Sequence, residues 1–350
     1  MARAGAPAVL GTWPSASVFG RLAIVGSTCI LLACGVGAPG EDATAGPSTP
    51  GAAGAAPDRR THHALVHHAG EGRTYLIGGS TRRGEGYHYF DDVWFWNGTD
   101  WTEVSPLPFP RSSHGVVYHA QRDSLILFGG GFARAVRAEG VLWEWRRGEW
   151  NALGGDSRAG RSEPGMCYDH GRGRVVLFGG WDAANTYRGE TWEWAGADLA
   201  EVAGAGPDPR AGHAFLFDPV RKRCLLFGGR GDKGYLSDTW EWNGEKWRQL
   251  AVAGPSARWF AGSATDTKGN RIVLFGGGGP DGDLGDTWTW DGQRWSEVSG
   301  DGPSPRMGVK LASAERGVVL FGGRQATSEG FQDHADTWEL QKRSWVRRRD

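Results

Sequence analysis

The chain has 350 residues, room for one to three domains, and holds 58 glycines, 19 tryptophans and only 3 methionines. Glycine at this frequency without a collagen period demands many turns, and so many indoles demand a large buried interior. A formal net charge of -1 with a pI near 6.8 supplies no basic field, which argues against a nucleic-acid surface.

In chain order the first element is an apolar run, LAIVGSTCILLA, from Leu22 to Ala33, preceded by Arg3 and Arg21. It falls short of the about 20 residues a membrane span needs and suits the core of a secretory signal. It ends in Leu31-Leu32-Ala33-Cys34, which resembles the lipobox of bacterial lipoproteins. That resemblance implies a signal peptide over residues 1–33 and lipid on Cys34, and Gly35 behind it points to the outer membrane. A secreted or periplasmic protein and an uncleaved anchor are the alternatives. Residues 34–59 are rich in Gly, Ala, Pro, Ser and Thr and read as a flexible linker. Of the four cysteines, Cys29 and Cys34 belong to the export segment. Cys167 and Cys224 fall in different repeats and different strand types, and are expected to be small buried hydrophobes rather than a pair.

From Arg60 onward the sequence repeats six times. A hydrophobic run ends each time in a glycine doublet: Gly78-Gly79, Gly129-Gly130, Gly179-Gly180, Gly228-Gly229, Gly276-Gly277 and Gly322-Gly323. An arginine leads each unit: Arg60, Arg111, Arg161, Arg210, Arg258 and Arg306. After each doublet come a loop and a Trp-rich strand, such as TWEW, and five residues past its second Trp stands another, as at Trp101, Trp150, Trp247 and Trp295. Leu199 replaces that residue in the third unit. Each unit predicts four short strands, a to d, with b apolar on both faces and d following a turn such as Asn97-Gly98 or Asp291-Gly292. One such sheet cannot bury its Trp face alone, so the sheets must stack, and six of them close a ring.

Doublet glycines, a spaced Trp and an Arg-led first strand resemble the kelch repeat over residues 60–350. The resemblance implies an all-β, six-bladed β-propeller of four-stranded blades, at about 60–110, 111–160, 161–209, 210–257, 258–305 and 306–350. Each terminus supplies its own strands, so the seam is expected to be held by packing between blades six and one. An acid precedes the first Trp of strand c in five units: Asp92, Glu190, Asp238, Asp286 and Asp336. One opposite charge per blade predicts that the arginines are structural, since buried charge comes paired. His63, His114 and His213 recur three residues after the arginine. They belong to blades one, two and four, so capping hydrogen bonds are expected of them rather than a metal site.

The b–c loops and d–a connections share one face, where function is expected. Its aromatic and imidazole groups give the candidate ligand-binding set: Tyr87, His88, Tyr89, Trp181, Tyr187, Tyr235, Trp259, Phe331 and His334. Blades six and one meet at the seam, which is expected to bring His88 near Asp333 and His334. Rings among amides and charges suit a sugar or a peptide. The reading is a monomeric, non-catalytic recognition module at the cell envelope with a protein or carbohydrate partner, no cofactor and no metal. The alternative is a carbohydrate-active enzyme. Some kelch propellers are epimerases or mutarotases, and galactose oxidase resembles this architecture but uses copper with two Tyr, two His and a Tyr–Cys crosslink. Here Tyr118-His119 offers one such pair, and neither Cys167 nor Cys224 evidently faces a Tyr at the axis.

Overall fold

A computed structural model describes residues 55–131, 140–202 and 205–350. Cys34, the export segment and nearly all of the linker lie outside them. Six four-stranded antiparallel sheets account for the described chain, and the one helical element among these residues is a single 3-10 turn, Ser157–Ala159. Blade one runs Ala64–His68, Arg73–Arg83, Gly86–Trp96 and Trp101–Val104, paired in chain order. The other five blades repeat that order, and a two-stranded hairpin, Arg324–Thr327 with Gly330–Asp333, stands out from blade six. Strand a of each blade lines a channel on the ring axis, and strand d lies outermost.

Strand b is the floor of every blade. Leu76, Leu127, Val176, Leu226, Leu274 and Val319 are fully buried, because each b strand is covered by blades on both sides. The indoles fill the wedges between blades. Trp96, Trp192, Trp194, Trp242 and Trp290 are buried almost completely, and each adds about 150–250 Å² of hidden ring, more than any aliphatic side chain could. The strand-d indoles also bond sideways. Trp101 donates to Thr337, Trp247 to Thr191, Trp295 to Thr239 and Trp345 to Thr287, at 2.9–3.2 Å, each from one blade to the blade before it. Blade two offers Leu142 where those blades offer Thr, and its neighbour answers with Leu199 where a Trp would stand. A missing acceptor and a missing donor thus face each other in one apolar cluster.

The arginines bolt each blade to itself and to the previous one. Each guanidinium donates to the carbonyl of the first doublet glycine in its own blade, at 3.0–3.2 Å. Four of them also clamp the blade's aspartate, at 2.5 Å for Arg60–Asp92, Arg210–Asp238 and Arg306–Asp336 and 2.6 Å for Arg258–Asp286. Arg161 reaches Glu190 at 3.5 Å. Arg111, whose blade lacks the acid, stacks over Phe109. The arginine's own carbonyl accepts from the second doublet glycine of the preceding blade at all six junctions, at 2.8–3.0 Å. The seam is one of them, with Gly323 N–H donating to the Arg60 carbonyl. No strand crosses the seam among the described residues, as expected. The doublet must be glycine on two counts. Gly228 and Gly229 hold φ of 65° and 97°, and a Cβ on the first would lie 2.8 Å from the Arg258 carbonyl of the next blade.

Three expectations fail. Cys167 and Cys224 form a disulfide, with Cα atoms 6.1 Å apart. Strand a of blade three packs against strand b of blade four, so different repeats and different strand types are what bring the sulfurs together. The three recurrent histidines cap nothing. No ring nitrogen of His63, His114 or His213 makes a hydrogen bond of good geometry, and only the Ile77 carbonyl lies near His114. The rings instead wedge between blades, His63 edge-on to Phe321 and His213 edge-on to Phe178. The Asn97-Gly98 and Asp291-Gly292 turns are four residues long, not two. Trp96 pairs with Trp101, and the Asn97 and Asp291 side chains accept from the backbone N–H groups two and three residues on.

Candidate functional site

Two residues beyond each arginine the chain turns through the left-handed region. His62, Ser113, Glu163, Gly212, Phe260 and Gly308 have φ between 50° and 64°. These six turns form a collar at the mouth of the axial channel. Ser113 N–H donates to the His62 carbonyl, Glu163 to Ser113, Phe260 to Gly212 and Gly308 to Phe260, at 2.7–2.9 Å. At the seam the Thr61 hydroxyl donates to the Gly308 carbonyl, 3.3 Å away. Four non-glycine residues held at positive φ here cost roughly 1 kcal/mol or more each.

The collar carries charge. Glu163 Oε1 lies 2.7 Å from His62 Nδ1, joining blade three to blade one across the opening. Burial alone would raise the Glu163 carboxyl, but Lys310, His62 and Ser113 outweigh it and hold it down to about 2. Phe260 meets the His62 ring edge-on at 5.0 Å. Below the collar a cavity of about 130 Å³ is lined by His114, Glu163, His213, Ser263 and Lys310 among apolar residues such as Met166 and Leu311. Burial pushes His114 and His213 down to about 3, and nearby Arg111 and Arg210 push the same way, so both rings are neutral at pH 7.

Around the collar, four of the sequence candidates come together. Trp181 lies 5.7 Å from Tyr187 and 6.2 Å from Trp259, and Trp259 lies 6.0 Å from Tyr235. Arg230 stacks on both Tyr235 and Trp259, at 5.3 and 5.2 Å. Phe260 links this cluster to the collar, 4.3 Å from Trp259 and 5.9 Å from Trp181. One rule of the backbone places them. The residue after the arginine bridges to the residue after the doublet, as in Ser162 with Trp181, Ala211 with Arg230 and Trp259 with Gly278. All four candidates are half-buried, with edges left open to solvent.

The seam candidates are arranged otherwise. His88 turns onto the Phe90 ring at 4.7 Å, and Asp333 is held by Arg324 at 2.6 Å and by the Thr81 hydroxyl at 2.9 Å. Asp333 is therefore a clamp across the seam. His334 joins the same seam through its backbone, its carbonyl accepting from Arg60 N–H. Tyr87 and Phe331, each 52% exposed, flank the Arg324 guanidinium at 5.4 and 5.6 Å, and Tyr89 packs beside Tyr87. Among the described residues no group of three or more His, Cys, Asp or Glu could hold a metal ion. Among the described residues both cysteines are spent on the disulfide, which leaves no thiol for a Tyr–Cys crosslink, and the Tyr118 hydroxyl donates to Asp123.

Sequence reasoning missed His62, Glu163, Lys310 and Phe260. Three of them sit at the arginine-plus-two position, a signal that was present in the repeat, but the residues there share no chemistry across blades.

Six four-stranded blades, a doublet-and-arginine bolt at every junction and an open collar define a kelch-repeat β-propeller. Among protein families, the KLHDC2/KLHL20/DRC7 Kelch-repeats domain matches residues 186–348. No curated protein matches the chain. The chain is a kelch-repeat propeller, a fold that commonly serves as a protein-interaction module.

Proposed function

We propose that this propeller is a non-catalytic recognition module of the bacterial cell envelope, holding a protein or glycan partner on the face of its b–c loops. The observation that carries this reading is the open cluster of Trp181, Tyr187, Tyr235 and Trp259 with Arg230 among them. Large rings fixed by their neighbours bind at low entropic cost, and Trp, Tyr and Arg dominate binding energies at interfaces. The test is a glycan array run beside a pull-down from envelope extracts. Trp181→Ala or Trp259→Ala is expected to weaken capture of the identified partner by about 10- to 100-fold, while the melting curve shows an intact fold. Undiminished capture by both variants would remove the site. Glu163 beside His62 favours the second reading, an epimerase-type enzyme. A sugar that is converted rather than retained, with conversion lost in Glu163→Gln, would replace the first reading.

The location is part of the same proposal. A disulfide between Cys167 and Cys224 suits an oxidising compartment outside the cytoplasm, and the lipobox-like Cys34 suits a lipid anchor. A fatty-acid analogue fed to the producing bacterium is expected to label the wild type and not Cys34→Ala. An unlabelled wild type would end the lipoprotein reading and leave a secreted or periplasmic module.

A further inference from the structure

The axial cavity has a chemistry of its own, apart from the aromatic rim. Glu163 comes from blade three and Lys310 from blade six, opposite positions in a ring of six. The close neighbour of Glu163 is His62, whose Nδ1 lies 2.7 Å from its carboxylate, and Lys310 acts on it at longer range, through its field. The cavity walls thus carry one carboxylate from blade three and one ammonium from blade six. His114 and His213 line the same cavity with ring carbons, their nitrogens closed off inside the wedge between blades, and His114 is only 4% exposed. Ser263 adds a hydroxyl to the same wall. The cavity volume of about 130 Å³ is close to that of a ~150 Å³ cavity that takes up benzene, the scale of a ligand of a few heavy atoms.

The charges select the ligand. With both imidazoles neutral, Glu163 and Lys310 cancel. A simple anion meets the carboxylate, a simple cation meets the ammonium, and an uncharged molecule leaves both desolvated without a counter-charge. We propose that the axial cavity is a site for a small zwitterion of the amino-acid class, its ammonium on Glu163, its carboxylate on Lys310, and a further hydrogen bond made with Ser263. The site does not depend on the rim reading, since Trp181 and Trp259 take no part in it.

The test is titration calorimetry of the purified chain with glycine, β-alanine and 4-aminobutyrate, which carry the same two charges at increasing separation. Acetate and ethylammonium are the single-charge controls. At least one amino acid is expected to bind, with both controls weaker by about tenfold or more. Lys310→Met and Glu163→Gln are each expected to weaken that amino acid by about tenfold or more, while Arg294→Ala, in an exposed turn on the outer side of blade five, leaves it unchanged. Melting curves establish that each variant is folded. Should Glu163→Gln fail to fold, Lys310→Met decides alone, because its side chain is only half-buried at the channel wall. No heat from any of the three amino acids, acetate binding as tightly as they do, or a folded Lys310→Met that binds like the wild type would each overturn the proposal.

Discussion

Acidification from pH 7 to pH 4 is expected to cost the propeller on the order of 6 kcal/mol of stability, a large part of the 5–15 kcal/mol a domain possesses. The cause is the pair of interblade imidazoles at His114 and His213. Burial, with Arg111 and Arg210 close by, pushes both down to about 3, against an ordinary value near 6.5. Between those two values the unfolded chain binds more protons than the folded one. Stability therefore rises with pH across that window and falls as the pH drops through it, by about 3 kcal/mol per ring at pH 4. His63 is pushed in the same direction, chiefly by burial and then by Arg60. Glu163 adds a later loss. Its folded carboxyl, near 2, lies below the ordinary carboxylate range, so its contribution disappears only as the pH falls from about 4.3 toward that value. Blade six holds Val309 at the equivalent position, fully buried. A His114→Val, His213→Val double variant is accordingly expected to keep the fold and to flatten the dependence of the urea midpoint on pH between 6.5 and 4. An unchanged slope in that variant would show that the rings are not the source of acid sensitivity.

Loss of the Cys167–Cys224 bond is expected to lower stability by about 2–4 kcal/mol. The sulfurs lie 57 residues apart in sequence and tie blade three to blade four inside a cluster that also holds Phe178, Phe215 and Trp242. A crosslink of that span removes chain entropy from the unfolded state. It also places both sulfurs where no water reaches, with Cys167 1% and Cys224 0% exposed. Cys224→Ala should therefore shift the urea midpoint down and become indifferent to reductant. The wild type should fall to the variant's midpoint when unfolded in the presence of dithiothreitol, and the Cys167→Ala, Cys224→Ala double variant should be no worse than either single change. A wild type whose midpoint ignores reductant would contradict this, as would alkylation of Cys167 and Cys224 as free thiols in the denatured oxidised protein.

What could be read from the sequence was whatever repeats. The doublet, the leading arginine and the indole spacing recur because every junction poses the same geometric problem, so the ring of six four-stranded blades was visible, and the arginine and acid of each clamp stood in the repeat. The rim was partly visible, because Trp181 and Trp259 each stand next to a repeated residue that fixes where they point. The collar and cavity were not. His62, Glu163 and Lys310 come from blades one, three and six, and only closure of the ring brings them to one axis. The disulfide was misread for a related reason. Neighbouring blades meet through unlike strands, so two cysteines at non-equivalent positions are the ones that touch. At the histidines the error was chemical, since a polar side chain was assumed to seek a partner where an aromatic face was what the wedge required.

The bond from Gly323 to the Arg60 carbonyl makes the join between last and first blade equivalent to the five others. A solenoid of repeats has two outermost units, each with one naked side, and frays from there. Among the described residues no blade is outermost: whichever one loosens must break two junctions at once, so the circle offers no free side from which to come apart.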